Sequence, residues 1–152
     1  MNILTKIFSN NIINLAIISW FIAQAIKVII VLLQQKKWDF RRFTESGGMP
    51  SSHSSSVCSV ATYVFLLEGF KSTYFGITFV FALVVLYDAA GVRRAAGEQA
   101  KILNRIVRDW NNTSPKKLQK ELKEFLGHTK TEVFVGMLLG IFVTIIYWNI
   151  CK

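Results

Sequence analysis

The chain has 152 residues, 52% of them hydrophobic, and a formal charge of +9 from 18 Lys and Arg against 9 Asp and Glu. That length suits a single domain, residues 1–152, and the apolar content is too high for an ordinary soluble domain. The only cysteines, Cys58 and Cys151, fall in different apolar segments, which excludes a secreted disulfide framework, and no nucleic-acid partner is expected.

Residues 12–33 form an apolar run broken only by Asn14, Ser19, Gln24 and Lys27. This is long enough for a transmembrane helix, which needs about 17–25 apolar residues. A signal peptide fits poorly, because the run exceeds a hydrophobic signal core and no small-x-small cleavage site follows. Residues 57–70 and 74–90 are two further apolar runs, joined by Glu68-Gly69-Phe70-Lys71-Ser72-Thr73, which suits a tight connection between antiparallel helices. The first of them is short unless it begins near His53. Residues 133–150 make the fourth run, with Tyr147 and Trp148 near its end where an aromatic belt would sit.

Between the third and fourth runs, Val92, Ala96, Gln99, Leu103, Ile106, Val107 and Trp110 recur at helical spacing, with Arg94, Glu98, Lys101, Arg105 and Arg108 opposite. That pattern predicts an amphipathic helix. A second is opened by Ser114-Pro115, carries Leu118, Leu122, Phe125 and Leu126, and is closed by Gly127. Both are expected along the membrane surface; a solvated helical hairpin fits the same charges. The expected architecture is therefore all-α: a polytopic bundle of about four transmembrane helices plus two amphipathic helices.

Four spans place residues 34–53, with Lys36, Lys37, Arg41 and Arg42, on the same side as residues 93–130, with ten more basic residues. The opposite side receives only Lys6, Lys71 and Lys152. The positive-inside rule makes the basic face cytoplasmic in a multi-pass integral membrane protein.

Three clusters on that face could carry chemistry. Gly47-Gly48-Met49-Pro50-Ser51-Ser52-His53 precedes the second run. Its glycines permit close backbone approach, and a helix start is an anion site. A capped helix entry in a polar loop explains the same residues, but His53 adds a group able to protonate a leaving oxygen. In Leu126-Gly127-His128-Thr129-Lys130-Thr131-Glu132, His128 and Glu132 are four apart and can meet on a helix face. Thr129-x-x-Glu132 is also a capping box, and both roles can hold together. The third run ends in Asp88 followed by Arg93 and Arg94, whose forked guanidinium groups match phosphate oxygens; snorkelling at the interface and an Asp88 ion pair are the plainer reasons for them. Lys27 lies inside a span, where a charge usually faces a partner or a wet cavity. Two imidazoles, a carboxylate and several cations on one face suit phosphoryl transfer through a covalent intermediate.

The motifs Pro50-Ser51-Ser52-His53, Asp88-Ala89-Ala90-Gly91-Val92-Arg93-Arg94-Ala95-Ala96-Gly97 and Leu126-Gly127-His128-Thr129-Lys130-Thr131-Glu132-Val133 resemble the divergent branch of the type 2 phosphatidic acid phosphatase superfamily. This superfamily is related to acid phosphatases and vanadium-dependent haloperoxidases. The likeness runs from about Gln24 to Gly140. The usual signature is K-x6-R-P, then P-S-G-H, then S-R-x5-H-x3-D. Here Ser52 replaces the glycine of the second motif and Glu132 the aspartate of the third, while Glu121 and Leu122 stand where Ser-Arg is usual. The resemblance implies His128 as nucleophile, Glu132 as its orienting partner and His53 as general acid. It also implies a helical bundle with no metal or other cofactor. Lys27 aligns with the lysine of the first motif, and Arg41 or Arg42 is a candidate for its arginine. Arg93 or Arg94 is the candidate substitute for the missing arginine of the third.

The expectation is a lipid-phosphate phosphatase, with Lys27, Arg41, Ser51, Ser52, Arg93 and Arg94 binding phosphate and Gly47, Gly48, Pro50 and Asp88 in support. The expected partners are a lipid phosphate and the bilayer, with a homodimer as an open option for assembly. The alternative is a lipid-phosphate binding or translocating protein that uses the same cations without a nucleophile. A purely structural bundle is a third reading. A CDP-alcohol phosphotransferase is rejected, because Asp109 stands alone where that chemistry needs spaced aspartates.

Overall fold

The computed structural model describes residues 9–36, 47–113 and 128–151. Five helices are described: α1 (Asn11–Gln35), α2 (Ser52–Glu68), α3 (Thr73–Ala90), α4 (Val92–Thr113) and α5 (Lys130–Cys151). No strand occurs among the described residues. Lys6, Lys37, Arg41, Arg42, Lys152 and the expected second amphipathic helix from Ser114 to Gly127 lie outside the described residues.

Polar side chains cap the starts of α1, α2, α3 and α5. Asn10 Oδ1 accepts from the backbone N–H of Ile12 at 2.9 Å and of Ile13 at 3.3 Å, satisfying donors that a helix start leaves open. Ser51 caps α2 and Ser72 caps α3 in the same way. Gly69, at φ +79, closes α2 in a backbone region that side chains disfavour. A short turn then reverses the chain into α3, and Phe65, Phe70, Phe75 and Phe79 stack around it. Only Gly91 separates α3 from α4.

Among the described residues, three helices, α1, α3 and α5, are long and apolar enough to cross a membrane. The second apolar run, read as 57–70 and short unless it begins near His53, does begin there: α2 starts at Ser52, which puts His53 in its first turn, and it is 17 residues long. It forms the axis of the bundle, with α1, α3 and α5 all packed against it.

The α2–α5 contact is built on small residues. A methyl group at Gly136 would collide with the Ser51 carbonyl oxygen, and one at Gly140 with the Ser55 carbonyl oxygen. One helical turn on, Thr144 Oγ1 donates to the Ser59 carbonyl at 3.1 Å. On the α1 side, Ser19 Oγ and Ser55 Oγ share a 2.7 Å hydrogen bond, and Ser56 Oγ donates to the Ala16 carbonyl at 3.2 Å. Small residues and hydroxyl bonds are how helices associate where apolar surface alone gives no preference for a partner over lipid. An apolar cluster of Leu15, Tyr63 and Val143 completes the core. Tyr147 and Trp148 pack on Tyr63, at ring-centroid distances of 6.1 Å and 5.8 Å, so both aromatics contact the bundle.

Candidate active site at the start of two helices

The beginnings of α2 and α5 are fastened together. The Ser51 N–H donates to the Glu132 carbonyl at 3.0 Å, so both helix amino termini open at one end of the molecule. His128 immediately precedes the cap residue of α5 and is 2% exposed.

Glu132 performs both roles that its spacing allows. Its N–H donates to Thr129 Oγ1 at 3.2 Å while its Oε2 accepts from the Thr129 N–H at 3.1 Å, which closes the capping box. The same Oε2 lies 3.1 Å from His128 Nδ1. A carboxylate only accepts, so Nδ1 carries the proton and the neutral ring keeps its lone pair on Nε2. That Nε2 is shielded from solvent.

The His53 ring stands 6.2 Å from the His128 ring, centroid to centroid, at an interplanar angle of 60°. The expected pair is therefore brought together from segments far apart in sequence. On α1, Lys27 lies beside the glycine loop. It is 3% exposed, and a Cβ on Gly48 would lie 3.9 Å from Lys27 Cδ, so the glycine loop runs across the lysine stem. Gly48 adopts φ +90, which accounts for glycine there. Pro50 is buried at the end of that loop.

The serines divide by role. Ser51 Oγ accepts from the Ser54 N–H at 3.3 Å and from Ser54 Oγ at 2.9 Å, so it serves the helix cap. Ser52 is 1% exposed, and its Oγ has no hydrogen-bond partner among the described residues. A buried hydroxyl in that condition costs about 1–3 kcal/mol unless a ligand or water satisfies it.

Asp88 lies across from His53. Both line a cavity of about 360 Å³ whose remaining walls are Trp20, Ser56, Val57, Phe81, Val84 and Val85. The cavity lies between α1 and α3, which do not pack against each other among the described residues. The backbones of Arg93 and Arg94 lie in the first turn of α4, shortly after Asp88 on α3. Gln24, three residues before Lys27 on α1 and 3% exposed, was not among the residues expected at the site. Its helical spacing from Lys27 was the available signal. The G-x-x-x-G spacing of Gly136 and Gly140 likewise marked the α5 contact in the sequence.

Apolar membrane-length helices around a pair of facing imidazoles define a helical membrane protein. Residues 8–143 match the model of the Divergent PAP2 family, and the chain belongs to that family. The chain is also 43% identical over 134 residues to the uncharacterized membrane protein YuiD of Bacillus subtilis (strain 168), covering 82% of this chain and 85% of that protein. No solved structure matches.

Proposed function

We propose that the protein is a lipid-phosphate phosphatase that uses a phosphohistidine intermediate at the cytoplasmic membrane face. The observation that carries the reading is the facing pair His53 and His128, with Glu132 holding the His128 Nδ1 proton. In the first step the His128 Nε2 lone pair attacks phosphorus, the bond from phosphorus to the ester oxygen breaks, and His53 gives its proton to the departing alcohol. In the second step water attacks the phosphohistidine, His53 takes a proton from that water, and inorganic phosphate leaves with Nε2 restored. Glu132 stabilises the imidazolium character that develops on His128. Lys27, Ser52 and an arginine from Arg41, Arg93 or Arg94 hold the non-bridging oxygens.

The apolar walls beside His53 support a lipid over a soluble ester. Trp20, Val57, Phe81, Val84 and Val85 continue from the His53–Asp88 end of the cavity, so an acyl or prenyl chain can stay in apolar surroundings while its headgroup reaches the imidazoles. In this reading α2 is a fourth, short span, the basic loops face the cytoplasm, and one chain of 152 residues is one domain.

The test is phosphate release from phosphatidate, phosphatidylglycerophosphate and a polyprenyl phosphate, with the parent compared against His128→Ala. Turnover of at least one lipid, sensitive to vanadate and lost in His128→Ala, is expected. Saturable phosphate-lipid binding that survives His128→Ala, with no turnover of any lipid, would replace the enzyme by the non-catalytic binding protein.

A further inference from the structure

We infer that α4 is an anionic-lipid-binding helix that lies in the bilayer surface with its apolar stripe inserted among acyl chains. The helix is turned inside out relative to one docked on a soluble core. Ile102, Leu103 and Ile106 are 60%, 48% and 55% exposed, and Ala95 and Gln99 on the same stripe are exposed too. The opposite stripe is the buried one: Gly97 is buried and Asn104 is 2% exposed. In water that arrangement loses the burial that normally holds an amphipathic helix in place. Beside hydrocarbon it is the favourable one.

Two further observations identify the occupant. Gly91 alone joins α4 to α3, a helix long and apolar enough to cross the membrane, so the first turn of α4 is held at the end of that helix. A water-facing hairpin would have to leave that boundary. The charge on α4 also fits an anionic surface: five basic residues, Arg93, Arg94, Lys101, Arg105 and Arg108, stand against Glu98 and Asp109. Glu98 is bonded to Lys101 at 3.6 Å. Arg105 is exposed on the flank of the apolar stripe, where a long basic side chain reaches headgroup phosphates while its stem stays in the apolar layer.

The full chain in lipid nanodiscs provides the test, with a single environment-sensitive fluorophore at Ile106→Cys, Leu103→Cys or Glu98→Cys in a Cys58→Ala, Cys151→Ala background. The probes are nanodiscs of phosphatidylcholine alone or with phosphatidylglycerol, each with or without a spin label on the acyl chain. At 103 and 106 the emission is expected to shift to the blue and to be quenched by the chain-borne label, more so with phosphatidylglycerol; at 98 it is not. Lys101→Gln with Arg105→Gln is expected to remove the phosphatidylglycerol dependence. Hydrogen exchange on the unlabelled parent gives an independent readout, with α4 amides better protected in the anionic nanodisc. Quenching of the 106 probe by aqueous iodide instead, or energy transfer between copies that survives lipid dilution, overturns the inference in favour of a solvated helix or a second copy. Equal quenching in both lipids overturns the anionic part. None of these outcomes depends on phosphatase activity, so the inference and the proposed function fail separately.

Discussion

Gly140→Ala tests how the geometry of the candidate site is held. A Cβ at position 140 would run into the Ser55 carbonyl oxygen and would also lie 3.0 Å from the Ser55 carbonyl carbon and 3.0 Å from the Ser59 nitrogen. All three are backbone atoms of α2, so no rotamer change relieves the clash and the helices must separate. The matching control is Gly76→Ala on α3, where nothing lies within 4 Å of the new methyl group. Both variants gain the same helix preference of alanine over glycine, about 0.5–1 kcal/mol. That term cancels between them, leaving the overpacking cost of about 1–3 kcal/mol. Thermal unfolding of the two proteins in the same detergent should then differ by about 2–4 °C for each kcal/mol, with Gly140→Ala the less stable. Displacement of α5 also carries His128 away from His53, so phosphate release should fall further than the stability loss explains. Equal unfolding temperatures for the two variants would refute the close α2–α5 contact and, with it, the account of how the two imidazoles are held 6.2 Å apart.

Glu132→Gln retains a group able to close the capping box but loses the carboxylate that fixes the His128 tautomer; its unfolding temperature should stay within about 2 °C of the parent, while phosphohistidine formation, read by rapid quench, falls by at least about tenfold. Ser52→Ala removes a buried hydroxyl that has no hydrogen-bond partner among the described residues, so denaturant unfolding should show unchanged or higher stability while KM for the lipid phosphate rises. Lys27→Met keeps the buried stem and deletes the charge, so calorimetry should show lost phosphate affinity without lost folding. Gly48→Ala must place an alanine at φ +90 and should cost about 1–2 kcal/mol in denaturant unfolding.

Local signals made much of this legible in the sequence. The helix entry at Ser51, the cap at Thr129 and the four-residue spacing of His128 and Glu132 depend on neighbours along the chain, and the structure has them where the sequence points. The length of α2 was harder to read, because its serines look like the end of an apolar run. They bond instead to neighbouring helices or to their own backbone, as Ser55 does with Ser19 and Ser59 Oγ with the Ser56 carbonyl at 2.7 Å. A hydroxyl satisfied in this way is little obstacle to burial. Helical periodicity located the apolar stripe of α4 but not the side it faces, since a period of 3.6 is the same whether the stripe meets protein or lipid. The separation of the two imidazoles was not readable either. It depends on how closely α2 and α5 approach, which is a property of the glycines and serines between them and not of the motifs themselves.

That dependence couples the placement of the two imidazoles to the α2–α5 contact. Glu132 ties three things together through three of its atoms: its carbonyl accepts the Ser51 N–H, its N–H and Oε2 close the α5 cap, and Oε2 also receives His128 Nδ1. The first contact brings the starts of two helices to the same place, and each helix amino terminus carries roughly half a positive charge. The buried Lys27 adds a third positive contribution from α1 beneath the Gly48 loop. An anion at that shared mouth is therefore favoured by the helix termini themselves, and the His128 lone pair is oriented through Glu132. In the proposed reaction, a pocket prepared in this way would meet the cost of orientation during folding rather than at each turnover. It follows that loosening the α2–α5 contact should lower the rate even in variants that leave every charged and titratable group in place.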